Sequence, residues 1–270
     1  MTFILPIFVV LGLALPIAGS AEPQRLPWRE AGLTERQAAA HLLDRFAYGA
    51  RPGDVDRVVA MGLETWLERQ LAGDLPEPEL ERRLAWLPSL RLSTREITQR
   101  YPNPGLVLRM MMHDGLIERP GETPASPEAE SEMRSQMMSY ARDKGYRPQR
   151  ELIGQLYVQK LFRALYAENQ LHEVLVDFWF NHFNVSITDN EARVYVLTYE
   201  RDAIRPYVTG RFRDMLEATA KHPAMLLYLD NARSVADEGA PRTFDAAAFR
   251  RQQGARGGFG GRGGRGGFGG

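Results

Sequence analysis

The sequence predicts an all-α protein: a multi-helix orthogonal or bundle-like array followed by a disordered Gly/Arg-rich C-terminal tail. Three observations carry this. Apolar residues recur at three- and four-residue spacing, as in Ala39, Leu42, Leu43 and Phe46, which places them on one helical face. Two capping boxes, Thr34 with Gln37 and Ser93 with Glu96, mark helix starts. No stretch shows sustained strand alternation bounded by hairpin turns.

A chain of 270 residues can bury a sizeable core as one large or two small domains. Lys plus Arg equals Asp plus Glu at 34 each, so no global field draws in nucleic acid or an anionic membrane. There is no cysteine, which excludes disulfides, thiolate zinc sites and cysteine nucleophiles.

Phe3 to Ile17 is a nearly unbroken apolar run ending in Ala18-Gly19-Ser20-Ala21. Gly19 and Ala21 suit the −3 and −1 positions of a signal-peptidase site, so residues 1–21 read as a Sec-type signal peptide and the protein as periplasmic or extracellular. The alternative is an uncleaved N-terminal membrane anchor. Pro6, Pro16 and the short run count against it.

Residues 22–33 form a proline-bearing leader, and the helical domain is expected over 34–235. Its first helix opens at Thr34 and stops at Gly49. The Arg51-Pro52-Gly53-Asp54 turn offers Asp54 as the next cap, and the pattern Val55 to Leu71 is interrupted at Gly62. His41 lies within the first helix and reads as a boundary residue between core and solvent rather than as a ligand. Prolines 76, 78, 88, 102 and 104 divide the following fragments. Met110, Met111 and Met112 read as adaptable core packing, because adjacent thioethers on a helix cannot converge on a metal. Glu118 to Glu132 reads as a long exposed loop leading into a helix over Glu128 to Arg142.

Pro148 starts the most strongly helical half, with Leu152, Leu156, Val158, Leu161, Phe162 and Leu165 as the apolar stripe and Lys160 and Arg163 on the wet side. Asn169 marks a break. Leu171 to Ser186, LHEVLVDFWFNHFNVS, is the most aromatic part of the helical region, yet it holds two acids, two histidines and an asparagine. Thr188 to Asn190 offers caps for a helix towards Arg205, closed by Pro206. Further helices follow over Phe212 to Lys221 and after His222-Pro223, stopping at Asp230-Asn231. From Gly254 to Gly270 the chain is almost wholly glycine, arginine and phenylalanine, a composition that cannot offset its ordering entropy. The low-complexity tail is expected over 236–270.

Ala38 to Leu71, Asp177 to Ser186 (DFWFNHFNVS) and Gly210 to Asn231 (GRFRDMLEATAKHPAMLLYLDN) together resemble the domain-of-unknown-function 1800 family of exported bacterial proteins. Their order and spacing match over most of residues 34–235. The resemblance implies a mostly helical exported protein without an assigned reaction. It also implies an exported partner of the domain-of-unknown-function 1501 family, often encoded alongside. Family members usually continue past the YLDN motif into further helices, so this chain is expected to be the N-terminal half of a larger domain, a fragment or truncated product.

On an ideal helix Glu173, Asp177 and Asn181 share a stripe, while His182 lies about 100° away from Asn181. The structural reading is an exposed acid stripe, with His182 hydrogen-bonded near the helix end and His172 exposed at its start. The functional reading makes His182 a divalent-metal ligand or general base with Asn181 orienting it. His222, Asp230 and Asn231 would complete the shell, with His182, His222 and Asp230 as the metal ligands. No serine-hydrolase elbow, phosphate loop or dinucleotide fingerprint is present. The leading expectation is an exported scaffold or binding protein acting with an envelope or secreted partner. The alternatives are an exported metal-dependent enzyme or cofactor-binding protein using His182, and RNA binding through the RGG-like tail.

Overall fold

A computed structural model describes residues 26–118 and 126–235. The signal segment, the tail, residues 119–125 of the acidic loop and the first part of the leader lie outside the described residues. Those described form an all-α array with no strand.

The first unit is α1 (Glu35–Phe46), α2 (Asp54–Met61) and α3 (Leu63–Ala72). Thr34 caps α1 with a complete capping box, and α1 stops at Phe46, three residues before the expected Gly49. Gly62 separates α2 from α3 at φ +91°, a backbone angle only glycine adopts freely. Asp54 is the first residue of α2 rather than its cap. Its buried carboxylate accepts the Arg51 N–H at 3.0 Å and is gripped by the Arg51 and Arg57 guanidinia. Leu42, Leu43, Val58, Leu63 and Trp66 form this unit's core, with Leu26, Trp28 and Leu33 of the leader packed on it. His41 is exposed on α1.

α4 (Pro78–Leu84) lies on α8, with Arg83 over the Tyr166 ring at 3.7 Å. α5 (Thr94–Arg100) begins at the second capping box, on Ser93. Its Ile97 shares a core with Leu152 and Leu197. α6 (Pro104–His113) and α7 (Pro127–Asp143) pair through Val107, Met111 and Tyr140. Ser126 caps α7, which begins one residue before the expected Glu128 and ends one after the expected Arg142, so the loop is shorter than Glu118 to Glu132.

α8 (Gln149–Tyr166) and α9 (Gln170–His182) are followed by a composite run. It comprises a 3₁₀ turn (Arg193–Tyr195), α10 (Val196–Thr198), a π-helix (Tyr199–Ile204) and a second 3₁₀ turn (Arg205–Tyr207). The expected single helix towards Arg205 is thus broken into three geometries. α11 (Phe212–Lys221) and α12 (Pro223–Tyr228) close the array, α11 with the expected bounds. The largest core joins Leu156, Val176, Phe180, Tyr199, Ile204 and Ala224 from four of these elements.

The α8 stripe differs from its expectation. Leu152, Leu156, Gln159 and Arg163, at helical spacing, face inwards, so the inner face turns from apolar to polar along the helix. Leu161 and Leu165 are 61% and 55% exposed, while the Lys160 and Arg163 side chains are only 25% and 18% exposed. The charges point inwards because their carboxylate partners are there.

Candidate functional site

The acids of α9 belong to an ion lattice rather than to a wholly exposed stripe: Glu173 lies in the interior, while the Asp177 side chain, 45% exposed, sits at the lattice edge. Glu173 is 5% exposed. Its Oε1 accepts Arg205 Nη1 at 2.7 Å and Arg163 Nη1 at 3.2 Å. Glu200 Oε1 accepts Arg205 Nη2 at 3.0 Å and the Gln159 amide at 2.7 Å. Glu200 Oε2 has no well-aligned hydrogen bond and instead faces the Lys160 ammonium at 3.2 Å. Lys160 also pairs with Asp177 at 2.9 Å. Tyr48 OH donates to the Glu173 carbonyl, tying the turn after α1 to the lattice.

The π-helix makes this geometry possible. In an α-helix Glu200 and Arg205 would point about 140° apart, whereas i→i+5 bonding brings residues five apart together. Both side chains therefore meet α8 and α9 on one side.

Three cations oppose three carboxylates, which is the condition for burying so much charge. Burial pushes the Glu200 carboxyl up, but the charges of Lys160 and Arg205 outweigh it and hold the group below the ordinary glutamate range. Burial lowers Arg205, yet Glu173 and Glu200 raise it above its ordinary value. Burial and the Asp177 and Glu173 charges push the Tyr48 phenol up. Glu200 is ionised and Tyr48 neutral at pH 7, so neither is poised to exchange a proton there. The space they enclose is about 10 Å³, room for about one water and no substrate.

The residues proposed from sequence are dispersed. The Asn181 amide donates to the Asp177 carbonyl one turn back, at 2.8 Å. His182 is exposed and packs its ring on Phe178, Trp179 and Phe183 at centroid distances of 6.1, 5.3 and 4.9 Å. Among the described residues it makes no hydrogen bond. The bond that fixes the chain after α9 is instead Tyr199 OH to the Phe183 carbonyl, at 2.8 Å. His172 is half-buried, not exposed, with Nε2 3.2 Å from the Arg205 carbonyl. Burial lowers its pKa. His222 is buried as the cap of α12, its Nδ1 accepting the Ala224 N–H at 3.2 Å. Burial pushes it down to about 4. Asp230 adopts φ +55° on the surface beside Arg233, and Asn231 starts the following 3₁₀ turn. Among the described residues no three histidine, aspartate or glutamate side chains are grouped to hold a metal.

The open space lies elsewhere. A groove of about 570 Å³ runs between α1–α3 and the junction of α8 with α9. Leu43, Ala47, Val58 and Trp66 contribute buried apolar surface, and Leu75 and Leu165 flank them. Arg51, Arg57 and Arg69 line it as well. Sequence reasoning missed it. The only signal was the Tyr48-Gly49-Ala50-Arg51 turn, where Gly49 at φ +102° leaves α1 without a bulky side chain over the opening.

No helix among the described residues is long and apolar enough to cross a membrane. No curated protein and no solved structure matches the chain. The family model described as "Protein of unknown function (DUF1800)" matches residues 41–239, a span holding α9, its ion lattice and the groove lining. The chain therefore belongs to the DUF1800 family.

Proposed function

We propose that this protein is an exported binding protein whose ligand site is the groove between α1–α3 and the α8–α9 junction. The carrying observation is the groove's volume of about 570 Å³, within the range of about 300–1,000 Å³ typical of small-molecule sites, over a mostly apolar lining. The polar residues of α9 support the same reading from the other side, since their charges are consumed in pairing and enclose no substrate-sized space. Export rests on the N-terminal apolar run and its Gly19–Ala21 site.

The test is binding of an environment-sensitive apolar dye to the full chain, compared with Ala164→Phe. Ala164 lines the groove from α8, and a phenyl ring there would project into it and narrow it. Saturable one-to-one binding, weakened at least tenfold in a variant of unchanged thermal midpoint, is the expected result. Binding that Ala164→Phe leaves intact would place the site elsewhere.

A further inference from the structure

We propose that the groove takes an acyl chain ending in a carboxylate, that is, a long-chain fatty acid; this rests on the groove's being the ligand site. Two features of the lining select this class over a peptide or a neutral oil.

The first is how its polar groups are used. Gln70 donates to the Glu168 carbonyl at 2.8 Å and accepts the Leu171 N–H at 3.0 Å. Gln170 accepts the Tyr48 N–H at 3.2 Å and donates to the Ala167 carbonyl at 2.8 Å. Asp54 is saturated by Arg51 and Arg57. The interior polar groups are thus spent within the protein. An extended peptide would bring backbone amides that find no partner there, and a buried unpaired amide is costly. A helical peptide pairs its own backbone, but one turn of helix, about 5.4 Å long and 10 Å wide, already occupies roughly 400 Å³. The groove would hold little more than that. An acyl chain brings no polar group along its length.

The second is charge. Arg51, Arg57 and Arg69 face Asp54 and Glu168, leaving one positive charge in excess. Arg57 commits only Nη2, and Arg69 pairs with nothing among the described residues. Arg51 commits Nε to Asp54 and Nη1 to the Leu165 carbonyl. Each guanidinium carries five N–H donors, so most remain for one anionic head group, which they can grip in bidentate fashion.

The experiment is calorimetric titration of the full chain with dodecanoate, dodecanol and dodecyltrimethylammonium below their aggregation limits. It is repeated with Arg69→Glu, chosen because Arg69 holds no structural pair. Dodecanoate is expected to bind at least tenfold tighter than dodecanol, and Arg69→Glu to cut that ratio about fivefold. Lengthening the acid from ten to twelve carbons should tighten binding about fourfold per methylene until the groove is full. Equal affinities for acid and alcohol, or preference for the cation, would overturn the head-group assignment while leaving the groove a binding site. Tighter binding of an acidic helical peptide than of any acid would overturn the acyl assignment. Failure of every amphiphile, with the Ala164→Phe-sensitive dye still bound, would do the same. Failure of the dye as well would instead remove the groove reading on which this one stands.

Discussion

Arg205 Nη1 lies 2.7 Å from Glu173 Oε1, joining the residue after a π-helix to the first turn of α9 across 32 positions of sequence. Both side chains are largely buried, at 15% and 6% exposed. The pair is the hinge-pin of the lattice, because Arg205 also holds Glu200 and Glu173 also holds Arg163.

Breaking that pair on one side should cost more than removing it. Glu173→Gln or Arg205→Met leaves an uncompensated buried charge, and each should lower stability by about 3–5 kcal/mol. The double variant restores charge balance and should lose markedly less than the sum of the two. Urea denaturation of all four proteins measures this, and simple additivity would show the pair to be uncoupled.

His222 should make the fold acid-sensitive. Its folded pKa, about 4, lies below its ordinary 6.5, so the unfolded chain binds the extra proton. The stability of its neutral form is complete above pH 6.5 and is lost as pH falls towards 4, amounting to about 3 kcal/mol. His222→Asn keeps a capping acceptor without the titration. Denaturant midpoints measured from pH 7.5 to 4 should fall less steeply in this variant than in the wild type.

Glu200 contributes in a second window. Its folded pKa is held below the ordinary glutamate value of 4.5. Its contribution is therefore full above that value and disappears as pH falls through the folded one. Stability lost by the wild type below pH 4.5, but much less by Glu200→Gln, would display it. A parallel acid limb in both proteins would show that Glu200 titrates alike in the folded and unfolded chains, so that the lattice does not hold its pKa down.

Asn169 should fasten the N-terminal unit. Its buried side chain accepts the Leu75 N–H at 3.0 Å and donates to the Leu75 carbonyl at 2.9 Å. Asn169→Ala removes both bonds, at about 1–3 kcal/mol for each group left unsatisfied. Hydrogen exchange should accelerate first at Leu75, before it does in α8.

Gly62→Ala tests backbone conformation apart from space. A Cβ there would meet only Thr65 Oγ1 at 3.7 Å, an ordinary contact, so the φ of +91° is the obstacle. A loss of about 1–2 kcal/mol in thermal unfolding is expected.

Much of the scaffold was legible in sequence because local chemistry decides it. Thr34 with Gln37 and Ser93 with Glu96 need only their own helix turn, and Gly62 needs only its own φ. The family itself was legible from the motifs at Ala38, Asp177 and Gly210. What stayed hidden depends on distant partners. Lys160 and Arg163 read as solvated because their pairs, Asp177, Glu173 and Glu200, come from other elements. The π-helix left no mark in composition, since Tyr199 to Ile204 would suit an α-helix equally well. The groove depends on how two units meet, and beyond the turn at Gly49 no residue pattern records that.

The bonds that seat α1–α3 on the rest of the chain run from Tyr48 to Gln170, Gln70 to Leu171 and Leu75 to Asn169, across 122, 101 and 94 residues. These are closures of very long loops, whose entropy must be lost before the contacts reward it. The N-terminal helices can cap and pair among themselves early, but their docking must wait for α9 to emerge. The groove is thus among the last parts of the molecule to come into being, and a chain cut short before Asn169 would carry its apolar walls uncovered.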